Sequence, residues 1–323
     1  AFILRRQPDF FRLMRYQGRK AFVLGAIEQG ELLGAMTVNI DQVFFDGQKR
    51  RCAYTADLKV LAAARGRGIG DGLMQYAVQV ARAQDPDILI LTTVTADNPA
   101  GLRKNQKLYP LVHMQSVAAL ETVFFPCGVS LPQALLQRAP RISPSAFYTA
   151  PLDLHSSRDR AQVLSLWQSC SPYRQGQRVY DDLKDPFLPP AQAWIGLFKA
   201  QPTPHLVGVL GLWDQRDCRQ ITLPHQPRYL QQWLYARSQA LALWCVVHCV
   251  LAPQYRRHFP LLLAAAYRHA SQQGGRLLGM ALDRADPLSA HLPRWPQQRN
   301  VLRLLSSEQP QKAYPFHGEL ALG

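Results

Sequence analysis

Residues 65–70 read Arg65-Gly66-Arg67-Gly68-Ile69-Gly70, placed where a strand hands over to a helix. Before them runs Tyr54-Thr55-Ala56-Asp57-Leu58-Lys59-Val60-Leu61, rich in strand formers and close to alternating. After them Leu73, Ala77, Val80 and Ala81 recur on one face of a helix expected over Ile69 to Ala83. A glycine-rich turn that opens a helix suits a phosphate. The first N–H groups of the helix lack intrahelical partners, and its dipole adds partial positive charge there. Gly68 and Gly70 remove side chains that would hold a pyrophosphate off those donors, while Arg65 and Arg67 supply cationic contacts.

The rest of the first half fits an α/β sheet. A helix is expected around Asp9–Tyr16, then strands at Ala21–Glu28 and Leu32–Phe45. Asp46-Gly47 reads as a hairpin turn into Arg51–Leu61, and Ile88–Val94, apolar and β-branched, as a buried strand. Prolines 126, 132, 140, 144 and 151 then place a boundary near residue 145.

The second half repeats the plan. A helix over Asp159–Ser169 precedes strands at Ala193–Lys199, Leu206–Trp213 and Leu241–Leu251; a helix at Pro260–Ser271 and a strand at Leu277–Leu282 follow. Gly274-Gly275 reads as the helix C-cap and strand entry. Val60-Leu61-Ala62 aligns with Val250-Leu251-Ala252, and the shared element order suggests a diverged duplication.

Composition narrows the partners. A chain of 323 residues more readily holds two domains than one, and 47% apolar content is that of an ordinary globular protein. Its longest apolar stretch, Ala240 to Ala252, is too short for a bilayer, so no membrane association is expected. The net charge of +15 is spread evenly, +7 over residues 1–145 and +8 over 146–323. That suits an anionic ligand; with no nucleic-acid-binding motif beside it, nucleic acid is not expected as a partner. Six cysteines show no metal spacing and read as free thiols of a cytoplasmic protein, with no metal site. Trp194, Trp213, Trp233 and Trp244 read as core or rim aromatics, and Arg256-Arg257-His258 as a solvated basic turn.

The pattern R-x-x-G-x-G after Leu58-Lys59-Val60 resembles the acyl-CoA loop of the GNAT superfamily of N-acetyltransferases. Asp97-Asn98-Pro99-Ala100-Gly101, just past the next strand, supports it. The likeness covers residues 20 to 110 and, beyond 146, element order only. It implies two GNAT-like domains, 1–145 and 146–323, each a mixed, mostly antiparallel sheet flanked by helices. The first would bind acetyl-CoA; the second would be a degenerate copy. By that resemblance the amides of Arg67, Gly68, Ile69, Gly70 and Asp71 cradle the pyrophosphate and Arg65 flanks it. The backbones of Leu58 and Val60 pair with the pantetheine and acyl carbonyl, and Asn98 touches the pantetheine arm. In the second half Tyr255-Arg256-Arg257-His258-Phe259-Pro260 has no glycine, so one cofactor site is expected.

Acetyl transfer to an amine needs a base, a stabilised oxyanion and a proton for the departing thiolate. Asp57 is the first candidate base and Tyr54, on the same strand, the second. The resemblance also implies a Tyr acid on the helix after Asn98. Asn105 stands near that place, Tyr109 is the nearest Tyr, and His113 is an alternative donor. The resemblance points to direct acetyl transfer to a small-molecule or protein amine. A longer-acyl or aminoacyl-tRNA donor, and acyl-CoA binding without catalysis, stay open beside it. The acceptor and the oligomeric state are not written in the sequence.

Overall fold

The structure, a computed structural model, describes residues 3–5, 9, 11–106, 108, 111–127, 146–222, 241–292 and 298–318. In chain order the first half holds β1 (Ile3–Arg5), β2 (Lys20–Glu28), β3 (Glu31–Phe45), β4 (Gln48–Val60), α1 (Ile69–Gln84), β5 (Leu89–Thr95), α2 (Pro99–Gln106) and β6 (Gln115–Pro126). The second holds β7 (Phe147–Leu152), α3 (Ser157–Cys170), β8 (Gln177–Arg178), β9 (Ala193–Lys199), β10 (His205–Asp214), β11 (Gln220–Thr222), β12 (Leu243–Leu251), α4 (Phe259–Gln272), β13 (Leu277–Asp283) and β14 (Gln298–Ser306). Trp233 and the boundary near residue 145 lie outside the described residues.

Local signals set many of these elements. Asp46 and Gly47 take positive φ, 53° and 82°, the geometry that a tight hairpin between two twisted strands requires. Gly274 (φ 76°) ends α4, where Gly275 N–H donates to Ala270 O at 2.8 Å before β13 begins. The helix expected around Asp9–Tyr16 is only a short 3₁₀ turn, Met14–Tyr16. Its apolar residues serve another element: Leu13 packs with Trp213, Leu243 and Cys245.

One sheet runs through both halves in the order β2-β3-β4-β5-β14-β6-β13-β12-β10-β9-β7, with β8 beside β3. Its pairings are antiparallel except β4–β5 and β12–β13. β14, from the end of the chain, lies between β5 and β6 of the first half, and β6 pairs in turn with β13 of the second. The halves therefore exchange strands across the centre of the sheet. α1 lays Leu73, Met74, Ala77, Val78 and Ala81 on Val38, Ile40, Ala53 and Ile90. α4 lays Leu262, Leu263 and Ala266 on Phe125, Leu197 and Leu210. Each of the larger side chains among these, Val, Leu, Ile, Met or Phe, contributes about 1.5–3 kcal/mol by leaving water. Cys245 is buried in a different cluster, with Leu13 and Trp213, and burial pushes its thiol up to about 12.

The duplication has a structural signature that the three aligned residues missed. On β4, Ala35↔Lys59 gives way to Thr37↔Ala56, so an extra residue bulges, with Asp57 at φ 59°. On β12, Val209↔Val250 gives way to Gly211↔Val247, with His248 at φ 55°. Leu61 N–H donates to Leu33 O just past the first strand, as Ala252 N–H does to Val207 O past the second, both at 2.9 Å. Asp57 thus answers to His248 and Leu61 to Ala252. The alignment of Val60-Leu61-Ala62 with Val250-Leu251-Ala252 is out of register by one residue. A further match follows β5 and β13: Asn98-Pro99 opens α2, and Asp286-Pro287 opens a short helix over Pro287–His291.

Candidate active site

β4 and β5 pair only as far as Thr55↔Thr92, although β4 runs on to Val60 and β5 to Thr95. Beyond that point they splay, and the gap forms a cleft of about 1550 Å³. Asp57, Leu58 and Val60 line one side; Thr93, Val94 and Thr95 line the other. The mouth is made by the glycine loop and α2. Leu302 of β14 reaches the wall from the far end of the chain.

The loop has the conformation that its glycines permit. Gly66 and Gly68 take φ 83° and 77°, and a side chain at Gly68 would be strained although it would meet no neighbour within 4 Å. Gly72 N–H to Gly68 O is the first intrahelical bond, at 3.0 Å. The amides of Ile69, Gly70 and Asp71 therefore stand ahead of it at the cleft, and Gly68 gives them no side-chain cap.

Lys104 of α2, unremarked in the sequence, reaches over this helix end. Its Nζ lies 2.6 Å from Asp71 Oδ1 and 3.0 Å from where a Cβ on Gly70 would stand. A cation is thus held against the amide face of α1. α2 is fixed to do this. Asn98 Oδ1 accepts from Gly101 N–H at 2.9 Å and caps the helix, and Asn105 Nδ2 donates to Gly101 O at 2.9 Å. Gly101 lets α2 approach β5, since a Cβ there would come within 2.8 Å of Val94.

The structure brings Asp57, Leu58, Val60, Arg65, Gly68, Ile69, Gly70, Asp71 and Asn98 into one wall. Two expected residues are elsewhere. Arg67 turns away from the cleft and pairs with Glu28 at 2.5 Å on the exposed side of β2. Tyr54 is buried behind the sheet with Leu89, Leu91 and Leu304, its hydroxyl 2.7 Å from Thr93 Oγ1, and does not line the cleft. It lies in the regularly paired part of β4 before the bulge, where its side chain points into the core beside Leu89 and Leu91. Tyr109 lies outside the described residues. His113 is exposed ahead of β6 and away from the wall. Among the described residues no group of acids, His and Cys could hold a metal ion. None of the described helices is long and apolar enough to cross a membrane.

At the equivalent place in the second half the bulge is packed shut. His248 is fully buried; its Nε2 lies 2.7 Å from Pro189 O, and its ring stacks on Trp194 at 5.1 Å. The turn before α4 is less solvated than its sequence implied. Arg257 is exposed, but His258 is buried under Phe147, ring centroids 3.9 Å apart, and burial holds its pKa below the usual value.

Residues 2–108 match the family model described as the acetyltransferase (GNAT) family. The match falls within the first half of the chain and spans the glycine loop. No curated protein sequence matches it. Solved structures match over both halves. A tandem GNAT protein from the clavulanic acid biosynthesis pathway aligns at 14% identity and TM-score 0.52, covering 92% of this chain and 86% of that one. A conserved Enterococcus faecalis V583 protein of unknown function, titled a probable N-acyltransferase, aligns at 9% identity and TM-score 0.53, covering 95% and 72%. Saccharomyces cerevisiae N-myristoyltransferase with bound myristoyl-CoA aligns at 11% and 0.57, covering 94% and 70%. Some matched chains are much longer, and this chain spans 38% of one of them. At these identities the structures establish a shared fold: two GNAT-like units, each a mostly antiparallel sheet flanked by helices. The splayed strands and the glycine loop lie within the residues that match the GNAT family model.

Proposed function

We propose that the chain is an N-acetyltransferase that moves an acetyl group from acetyl-CoA directly to an amine, a small molecule or a protein. The acyl-CoA-binding unit is residues 1–145 with β14 added; residues 146–323 supply a degenerate copy. The observation that carries this reading is the continuity of the splay with the glycine loop. One cleft runs from the free amides of α1, along β4, to the bulge at Asp57. That shape fits a long ligand with an anionic head and an extended arm.

Acetyl-CoA supplies an acyl group on a thiolate leaving group. The amides of Ile69, Gly70 and Asp71, with Arg65 and Lys104, would hold its pyrophosphate. The backbone of Leu58 and Val60, no longer paired to β5, has hydrogen-bonding groups to offer the pantetheine arm and the acyl carbonyl. Asn98 uses its oxygen as a helix cap, which leaves its amide for the arm. Asp57 takes the proton from the acceptor nitrogen, directly or through a water, and Tyr109 is proposed to return one to the thiolate. His248, buried among aromatic rings where Asp57 stands in the first half, argues for a single cofactor site.

Calorimetric titration tests the site. One CoA per chain is expected, and Gly70→Val should abolish binding because its side chain would fill the cradle. Gly70 is the better choice than Gly68, whose positive φ would make valine a strain on the loop whether or not a phosphate binds. The side chain nearest a new Cβ at Gly70 is the flexible tip of Lys104, so the fold should survive. Lys104→Ala should weaken CoA about tenfold or more, the scale of a charge-assisted contact. Two CoA per chain, or unchanged affinity in folded Gly70→Val, would overturn the reading. Turnover against a panel of amines then identifies the acceptor.

A further inference from the structure

We propose that the closed end of the cleft restricts the donor to short acyl groups, with Tyr54 and Thr93 forming the stop. The inference rests on the acyl-CoA reading and adds the class of acyl chain. A ligand anchored at α1 and laid along β4 passes Val60 and Leu58, reaches the bulge at Asp57, and has its acyl end directed at the vertex where β4 and β5 rejoin. From Asp57 to Thr55 is about 7 Å at the rise of an extended strand, the length of a few methylenes and far short of a myristoyl chain.

The vertex is closed by polar groups. Thr92 Oγ1 donates to Thr55 O at 2.8 Å, and both residues are buried. Tyr54, paired with Leu91 one residue short of the last rung, places its Oη 2.7 Å from Oγ1 of Thr93, the first residue of β5 past that rung. Thr92 and Thr93 face the cleft, and Tyr54 backs them. Behind Tyr54 stand Leu89, Leu91, Leu120 and Leu304, none with any exposed surface. A longer chain would have to break both of these hydrogen bonds and then displace close-packed leucines. An acetyl group needs neither. Tyr54 is therefore assigned to donor selection rather than to proton transfer.

The test is a calorimetric series of free CoA and the acetyl, propionyl, butyryl, hexanoyl and octanoyl thioesters on the full chain. An apolar tunnel would raise affinity about fourfold for each methylene it buries. In the wild-type protein the gain should stop by butyryl and affinity should then stay level or fall. Tyr54→Phe, which keeps the ring, should keep the limit. Tyr54→Leu should recover about fourfold per methylene over the next two or three carbons. Affinity rising steadily to octanoyl in the wild type overturns the length limit, whether or not either variant folds. A folded Tyr54→Leu protein with a wild-type series overturns the assignment of the stop to Tyr54. If free CoA itself does not bind, the acyl-CoA reading fails and the limit falls with it.

Discussion

A chain ending at residue 297, which lacks only β14 and the short tail after it, is expected to lose the cooperative unfolding of its first half. β14 is bonded along both edges, to β5 through Leu302–Ser306 and to β6 through Gln298–Ser306. Its removal leaves two rows of backbone donors and acceptors without partners in the middle of the sheet. It also empties two cores at once. Leu304 is fully buried with Tyr54, Leu91 and Leu120, and Leu305 packs with Ile90 and Val94 on the other face. Truncating one such leucine to alanine costs about 2–5 kcal/mol. Losing both, with the strand that carries them, rivals the whole stability of about 5–15 kcal/mol usual for a domain. Residues 1–127 expressed alone should fail for the same reason. Far-UV circular dichroism melts and amide exchange at Leu91–Thr95 check this. A sharp melt in the truncated chain, with those amides still protected, would mean that β5 and β6 can close on each other without β14.

The exchange of strands also marks where reading the sequence stopped. Features set by neighbouring residues were legible: the Asp46-Gly47 turn, the face of α1, the glycines ahead of it and the Gly274-Gly275 cap. Each depends on backbone freedom or helical period within a few positions. Features set by pairing were not. Nothing in Gln298–Ser306 says that it will cross to β5, because any apolar strand of that length offers the same edge. The bulge at Asp57 comes from the register of β4 against β3, so the sequence could place Asp57 on a strand but not on the wall of a cleft. Tyr54, in the regularly paired part of β4 before the bulge, lies on the face that packs against Leu89 and Leu91. Lys104 was missed because its position depends on α2 crossing the start of α1. An Arg-Lys pair in the last turn of a helix after Asn98-Pro99 was the available signal. Asp286-Pro287 would have been the better anchor for the internal repeat, since a helix-opening Asx-Pro pair is a structural device whereas Val-Leu-Ala recurs by chance.

Replacing Asp57 with asparagine is expected to cut turnover about a hundredfold or more while leaving CoA affinity in place, the usual scale for loss of a general base. Its backbone position makes this substitution clean. At φ 59° most side chains would be strained, but asparagine tolerates the left-handed region as well as aspartate does. The bulge, and with it the path of Leu58 and Val60 along the cleft, should be kept. Asp57→Ala would confuse the test, because alanine at that φ perturbs the strand itself. What asparagine removes is the proton acceptor. The defect should therefore shrink as pH rises, since a growing share of the acceptor amine then arrives neutral and needs no base. A defect of structural origin would persist across the pH range. Turnover measured from neutral to alkaline pH, beside CoA affinity by calorimetry, separates the two. If turnover at neutral pH stays within a few-fold of wild type, Asp57 is not the base. Because Tyr54 is buried away from the cleft, proton removal would then fall to a water or to the acceptor's own equilibrium with solvent.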